Sequence, residues 1–295
     1  GSSLNMPSTS AIVKTLKITN FSKILGINIV ANSTGAFITQ TFSPRLIPVM
    51  GGSWRNVIWL FTGITLMFGL FAIFTISKLD LGHADVASAA RHVDKSVKVP
   101  AEFRRSMWSL AVLYAGTMGT SVAVSSWLPT LMAERGYDTV TAGNIASFQT
   151  VGALATALLV PLFFERLLRN TLTTPIAGLA VLGVVMTILS SQTLFLIRAA
   201  ALCAGIAFNF LSLHAQRDII SSAPEHVSGK YVSTINACAN CSGVMSVMGI
   251  GMLTSSQGKL LYLCCFACLI LVGGLLYRSA HRAAQRSEAQ PVSAN

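Results

Sequence analysis

The chain has 295 residues, of which 53% are hydrophobic and only 11% charged, and its mean hydropathy is +0.64. Soluble domains carry about 25% charged residues, so this composition excludes an ordinary soluble protein. The net charge of +11 does not indicate nucleic-acid binding, because the Lys and Arg residues stand in short clusters between long apolar runs.

Eight long apolar segments predict complete transmembrane helices. A helix needs about 20 apolar residues to cross the roughly 30 Å hydrocarbon core of a bilayer. In chain order the predicted spans are 24–44, 55–77, 107–131, 140–163, 173–190, 193–214, 230–253 and 260–277, after a partial span at 1–13. The predicted fold class is therefore an all-α integral membrane protein, a polytopic helical bundle.

A charged segment at 78–105, which contains Pro100, interrupts the series of spans. It predicts a linker between two helical bundles, the alternative being a loop with no boundary role. The predicted domains are the remainder of an N-terminal bundle at 1–77, the linker, a C-terminal six-helix bundle at 106–278 and a tail at 279–295.

The distribution of Lys and Arg predicts the orientation. Of the 21 basic residues, 16 fall on the side that holds the linker and the C-terminal tail, and 5 fall on the other side. Basic residues concentrate in cytoplasmic loops. The linker and the tail are therefore predicted to be cytoplasmic, in a bacterial inner membrane or a plasma membrane.

An internal repeat relates two of the spans. At a constant offset of 208 residues, identical or similar side chains are paired as Asn28/Asn236, Ala31/Ala239, Asn32/Asn240, Thr34/Ser242 and Gly35/Gly243. A parallel repeat separated by a long linker predicts two similar halves, and transporters built in this way bind their solute between the halves.

Uncharged polar residues inside the spans are the candidates for solute binding. They are Asn28, Asn32, Tyr114, Thr117, Ser121, Gln149, Asn209, Asn236 and Asn240. Each Asn pair has i, i+4 spacing and so shares one helix face. A buried amide needs a hydrogen-bonding partner, which is either a neighbouring helix or a solute, and the sequence leaves both open. Gly116, Gly119, Gly152 and Gly205 are predicted to be points of close helix packing.

All acidic residues fall in predicted loops or at helix ends, so the sequence predicts no proton carrier deep in the membrane. His214, at the end of a span, is the nearest candidate. A cytoplasmic charge latch is predicted from Glu165, Arg166, Arg169, Arg217 and Asp218, with simple anchoring of the basic residues as the alternative.

The six cysteines include two CxxC pairs, Cys238/Cys241 and Cys265/Cys268. Neither pair has a nearby His or a polar loop to orient metal ligands. We therefore predict small packing residues, with no metal site and no cofactor.

Four stretches give the chain a resemblance to the major facilitator superfamily. They are Gly1–Pro7 with the Gly-rich run through Pro44 and Pro48, Trp127-Leu-Pro129 followed by Glu134-Arg-Gly-Tyr137 and Ala142-Gly143, Glu165-Arg166 with Arg169, and Pro224 to Gly229 leading into Asn236. They are similar to the family's fourth and fifth helices, seventh-to-eighth connection, second loop motif and tenth-to-eleventh connection. The loop motif lacks its usual glycines, and no Arg precedes Gly229.

The resemblance implies secondary active transport of a small solute by alternating access, as a symporter or antiporter that uses a coupling proton or ion. The Trp-Leu-Pro connection is similar to that of porters for small organic or inorganic anions. The family's seventh and tenth helices line its central cavity. By this resemblance the chain lacks about the first three and a half helices of a twelve-helix carrier, as a fragment or as a natural truncation. A truncated relic that cannot transport is one alternative. A membrane-embedded enzyme is another, although no convergent catalytic cluster supports it.

Overall fold

The structure, a computed structural model, describes residues 21–78, 101–222, 225–253 and 255–289. The helices of these ranges are α1 Phe21–Val49, α2 Trp54–Lys78, α3 Ala101–Glu134, α4 Thr139–Phe163, α5 Glu165–Arg169, α6 Thr173–Ser190, α7 Leu194–Ser222, α8 Glu225–Gly251 and α9 Ser256–Ala289. Every predicted complete span coincides with one of the long helices, and the all-α bundle is confirmed. The partial span at 1–13 lies outside the described residues.

Five described segments are long and apolar enough to cross a membrane. They are Trp54–Thr75, Phe103–Glu134, Thr139–Phe163, Leu194–Ile219 and Leu261–Ala283, and α6 contributes the shorter apolar helix Thr173–Ile188. The repeat-related helices α1 and α8 have 29 and 27 residues and carry the amides and hydroxyls of the repeat; they are not among these five segments.

Helix α3 is the centre of the C-terminal bundle, where it contacts α4, α7, α8 and α9. Leu110 and Leu113 of α3 are fully buried, as are Leu211 of α7 and Ile270 of α9. Hydroxyl groups of α8 also bond to α3, for example Ser246 Oγ to a backbone oxygen of α3 at 2.8 Å. Small and hydroxyl side chains are typical of helix contacts inside membranes, where lipid provides no hydrophobic driving force.

The prediction of glycines at close helix contacts is confirmed. A Cβ atom on Gly116 would lie 3.0 Å from the Ile270 backbone nitrogen, and one on Gly119 would lie 2.6 Å from the Phe266 ring. Gly152 and Gly205 stand at the crossing of α4 and α7, where a Cβ atom on either would overlap the other helix's backbone.

Helix α1 joins the residues before the linker to the C-terminal bundle by packing against α4. Thr41 Oγ1 lies 2.9 Å from Ser147 Oγ, and Thr150 Oγ1 donates to Gln40 Oε1 at 2.6 Å. In contrast, only 6% of the apolar segment of α2 is buried. Its exposed apolar side chains suit contact with lipid.

Hydrogen bonds from Arg135 link the loop after α3 to the loop after α6. After α3 the chain turns at Gly136, whose φ of +87° suits a residue without a side chain. The preceding residue, Arg135, donates from Nη1 to the carbonyl oxygens of Ile188 at 2.9 Å and Ser191 at 3.1 Å. These carbonyls end α6, so the guanidinium also complements the negative end of that helix.

Asp138 caps the first turn of α4. Its Oδ1 accepts hydrogen bonds from the backbone nitrogens of Val140 and Thr141, each at 3.0 Å. Hydrogen bonding to Thr141, first from its side chain and then from its backbone, holds the pKa of Asp138 below the usual value. Because the folded pKa is lowered, this cap stabilises the fold above the ordinary carboxyl pKa, and the contribution is lost as pH falls through the lowered value.

We therefore expect Asp138→Ala to lower the melting temperature at neutral pH and to have little effect at an acid pH well below the ordinary carboxyl range, where the carboxyl group is protonated. Asp138→Asn keeps an oxygen acceptor and should lose less. Thermal melts of the three purified proteins at both pH values measure the effect. Equal losses at the two pH values would contradict it.

Three sequence expectations need revision or stay untested. Helix α9 continues to Ala289, into the segment assigned to the tail. The prediction that the cysteines are packing residues is wrong for Cys203, Cys241, Cys265 and Cys268, which are exposed on helix surfaces, because Cys is apolar enough for such faces. The domain boundaries remain predictions, since most of the linker lies outside the described residues.

Candidate functional site

The junction of α3, α4 and α7 brings two of the predicted binding residues, Gln149 and Ser121, into contact. Gln149 of α4 is 6% exposed, and its Nε2 lies 3.5 Å from the carbonyl oxygen of Ser121 on α3, a long hydrogen bond. Its Oε1 is buried without a hydrogen-bond partner among the described residues. A buried carbonyl without a partner is costly, so this atom is the clearest unmet acceptor of the junction.

Asn209 lies on α7 close in sequence to the crossing of α7 with α4. Gly205, one turn earlier, is the point at which the α7 backbone meets the backbone of Gln149. The Nδ2 atom of Asn209 donates to the Gly205 carbonyl oxygen at 3.2 Å, and its side chain is half-buried. Asn209 therefore lies one turn along α7 from the point where that helix meets Gln149, and its amide is bonded to its own helix.

The other two predicted binding residues on α3, Tyr114 and Thr117, have partners inside the bundle. The Tyr114 hydroxyl accepts a hydrogen bond from Gln216 Nε2 at 2.8 Å, and both residues are buried. The Thr117 hydroxyl donates to the carbonyl oxygen of Leu113 at 2.8 Å, and Thr117 is fully buried. In this conformation neither residue is accessible to a solute, whereas Ser121 is half-buried.

The two amides of α8 bond to their own helix. Asn236 Nδ2 donates to Val232 O at 3.0 Å, and Asn240 Nδ2 donates to Asn236 O at 2.9 Å. Asn236 is buried, while Asn240 borders an open groove of about 360 Å³ that is lined mostly by apolar side chains such as Met248. Asn28 and Asn32 lie on α1, but their side chains are outside the described part of the structure.

Two of the predicted latch residues meet at the end of α7. Arg217 donates from Nη1 to the carbonyl oxygen of Leu168 in α5 at 3.1 Å and lies 3.7 Å from Asp218 Oδ1. Asp218 is 9% exposed, and its Oδ2 accepts a hydrogen bond from the Tyr277 hydroxyl at 2.5 Å. Arg166 is exposed, and the side chains of Glu165 and Arg169 are outside the described part. Hydrogen bonds thus join the C-terminal end of α7 to α5 and to Tyr277 of α9.

A family model for the Major Facilitator Superfamily matches residues 1–247. The chain belongs to the major facilitator superfamily. It is therefore an integral, multi-pass membrane protein of a family of secondary transporters that act on small solutes. No curated protein matches it significantly.

Sequence reasoning missed several partners within this major facilitator bundle. Gln216 donates a hydrogen bond to the Tyr114 hydroxyl. The two residues are 102 positions apart in the chain, and no local sequence pattern links them. His214 and Asp218 are four residues apart on α7, and this spacing was the available signal that they share a face. Asp218 does lie near a helix end as predicted, yet it is buried within an apolar segment.

Proposed function

We propose that this major facilitator protein carries a small solute across a bacterial inner membrane or a plasma membrane by alternating access. The observation that carries the proposal is the unpaired Oε1 of the buried Gln149, next to Ser121 at the junction of three helices. Small-molecule sites are largely apolar and contain a few convergent polar groups. A transported solute would supply the missing hydrogen-bond donor.

The chemistry of the junction favours a neutral or weakly charged solute. The unmet group is an acceptor, and Ser121 and Asn209 add only a hydroxyl and an amide. A solute with hydroxyl or amide donors, such as a polyol, a sugar or a neutral amino acid, suits these groups better than an anion. The small-anion substrate class implied by the sequence resemblance is the competing outcome.

The contact between α1 and α4 supports a rocking motion. Two polar pairs hold it, Thr41 with Ser147 and Gln40 with Thr150. Hydroxyl and amide pairs of this kind are worth only about 1 kcal/mol each inside membranes, so they can exchange partners as one bundle moves against the other. Such a motion exposes the site to each side of the membrane in turn.

The proposal also includes the orientation of the chain in the membrane and the cytoplasmic charge latch. The positive-inside pattern favours a cytoplasmic linker and C-terminus. On that side, the bond of Arg217 to the α5 carbonyl would hold the end of the C-terminal bundle closed. Glu165, Arg166 and Arg169 remain predicted members of this latch. The choice between symport and antiport is left to experiment.

We expect Gln149→Leu to weaken solute binding about tenfold, equivalent to ~1.4 kcal/mol, because one hydrogen bond to the solute is lost. The probes are panels of sugars, polyols and neutral amino acids, with nitrate, acetate and formate as anions. Shifts in the melting temperature of the purified chain identify binding, and uptake of each hit into proteoliposomes under an imposed pH gradient measures transport.

Gln192→Leu is the matched control, because Gln192 is exposed and distant in sequence from the junction. It should leave both readouts unchanged. Binding and uptake of an anion would replace the neutral-solute class with an anion porter. If no probe binds or enters the vesicles, the transport proposal fails and the transport-incompetent alternative takes its place.

A further inference from the structure

Arg198 is a charged side chain inside a segment that can span a membrane. It lies in Leu194–Ile219, which is long and apolar enough to cross a bilayer, and it is half-buried. Its guanidinium stands over the Phe148 ring of α4, with Cζ 5.8 Å from the ring centre. Its Nε is buried without a hydrogen-bond partner among the described residues. Ionisable groups in such segments are costly and usually functional.

No carboxylate of the described residues compensates the charge of Arg198, which takes part in none of the ion pairs that those residues form. The predicted topology places only two carboxylates of this sequence, Glu134 and Asp138, on the side of the membrane that holds Arg198. Glu134 is paired with Lys259 at 2.8 Å, and Asp138 caps α4. An anion that the protein does not itself supply would remove the cost of this unpaired charge.

A second guanidinium approaches the same face of α4. Arg45 of α1 is exposed, and its Nη2 lies 3.5 Å from Asn144 Oδ1. Asn144 and Phe148 are one turn apart on α4, so their Cβ atoms are about 5–6 Å apart. Helix α1 also contacts α7. Two guanidiniums from two helices thus reach neighbouring positions on a third, and an anion between them would offset their mutual repulsion.

The depth and the surroundings of these residues indicate the class of anion. Arg45, Asn144 and Arg198 each lie four or five positions from the end of their helix on this side, or about 6–8 Å along the helix axis. The headgroup region of a bilayer is roughly 5–7 Å thick on each side of the hydrocarbon core. The three residues are therefore level with the boundary between headgroups and acyl chains. Phe195 and Leu196, next to Arg198, are 75% and 47% exposed, as expected for side chains in contact with lipid.

We propose that Arg198 and Arg45 bind the phosphate group of a membrane phospholipid, with the amide of Asn144 as a further donor. A guanidinium binds phosphate through two parallel hydrogen bonds, which are strengthened by the opposite charges. The Phe148 ring holds the Arg198 guanidinium in place. The bound phosphate joins α7 to α1 and so links the C-terminal bundle to the residues before the linker. The site goes beyond the proposed transport function and uses none of the residues proposed to bind the solute.

The experiment is native mass spectrometry of the full purified chain in a maltoside detergent. The probe is phosphatidylglycerol, and the comparison lipid is phosphatidylcholine, whose choline group already neutralises its phosphate. We expect one tightly retained phosphatidylglycerol and weaker retention of phosphatidylcholine. Arg198→Gln should weaken the retention of phosphatidylglycerol about tenfold, because charge-assisted hydrogen bonds are lost. Arg198→Lys keeps the charge without the planar fork and should give an intermediate result.

Arg55→Gln is the matched control. Arg55 lies on the same side of the membrane at the start of α2, a helix that takes no part in the site, and its guanidinium stands over the Trp54 ring at 5.7 Å. This variant removes the same charge and should leave lipid retention unchanged. Equal losses for Arg55→Gln and Arg198→Gln would show only a general attraction of the lipid to the basic face, and would overturn the proposal.

Melting temperatures distinguish loss of the site from loss of the fold. Without lipid, Arg198→Gln should melt at or above the temperature of the unaltered chain, since it removes an unpaired charge. Phosphatidylglycerol should raise the melting temperature of the unaltered chain by roughly 3 °C or more and leave that of the variant unchanged. A lipid-free variant that melts below the unaltered chain would mean that the protein itself compensates Arg198. Inorganic phosphate or acetate that stabilises the chain as strongly as the lipid does would identify a site for a free anion. Either result would overturn the proposal.

Discussion

Gly205→Ala is expected to cost on the order of 3 kcal/mol in the free energy of unfolding, or to prevent recovery of folded protein. Overpacking a close contact costs about 1–3 kcal/mol where side chains can move. At Gly205 the obstacle is backbone, because the new methyl group would overlap the carbonyl oxygen of Gln149 and lie 2.9 Å from the nitrogen of Ala153. Helices α4 and α7 would have to separate along their crossing.

Gly183→Ala provides the matched control on α6. Nothing lies within 4 Å of the position that its Cβ atom would take. Since Ala is the better helix former by about 1 kcal/mol, this variant should be neutral or slightly stabilising. Thermal melts of both variants in one detergent make the comparison. Similar stability of the two proteins would mean that the crossing is looser than described.

The second large effect concerns an ion pair that joins the end of α3 to the start of α9. Lys259 Nζ lies 2.8 Å from Glu134 Oε1 and 5.5 Å from the centre of the Trp127 ring. The Lys259 side chain is only 8% exposed, whereas that of Glu134 is 44% exposed. The two partners are therefore not equivalent.

We expect Glu134→Gln to destabilise the fold by about 2 kcal/mol and Lys259→Met by under about 1 kcal/mol. Removing Glu134 leaves a buried ammonium without its counter-charge, whereas removing Lys259 leaves a carboxylate that water can still reach. The double variant should recover most of the loss. A double-mutant cycle of unfolding free energies in an SDS titration measures this. Equal costs for the two single variants would contradict the asymmetry.

The sequence was sufficient to predict the helices, because the thickness of a bilayer fixes the length of an apolar run. It also predicted the close contacts at Gly116, Gly119, Gly152 and Gly205, since small residues mark helix crossings in membranes. Polar residues inside apolar runs indicated where candidate site residues lie, and two of them, Gln149 and Ser121, are in contact in the structure.

The sequence could not predict which polar side chains form hydrogen bonds inside the bundle and which remain available to a solute. That outcome depends on how each helix is rotated and on what crosses it, and neither is encoded locally. Tyr114 and Thr117 share the helix face of Ser121, yet both have partners inside the bundle. Asn236 bonds to its own helix, an arrangement that the sequence cannot distinguish from contact with a solute.

The hydrogen bonds by which Arg135 links the two loops have a practical consequence. Because its guanidinium holds the carbonyls that end α6, the loop between α3 and α4 cannot move independently of the loop between α6 and α7. A binder raised against this face would recognise a conformational epitope that spans both loops. An antibody fragment bound there would restrain four helices at once, and it would serve as a rigid fiducial for electron microscopy of the C-terminal bundle.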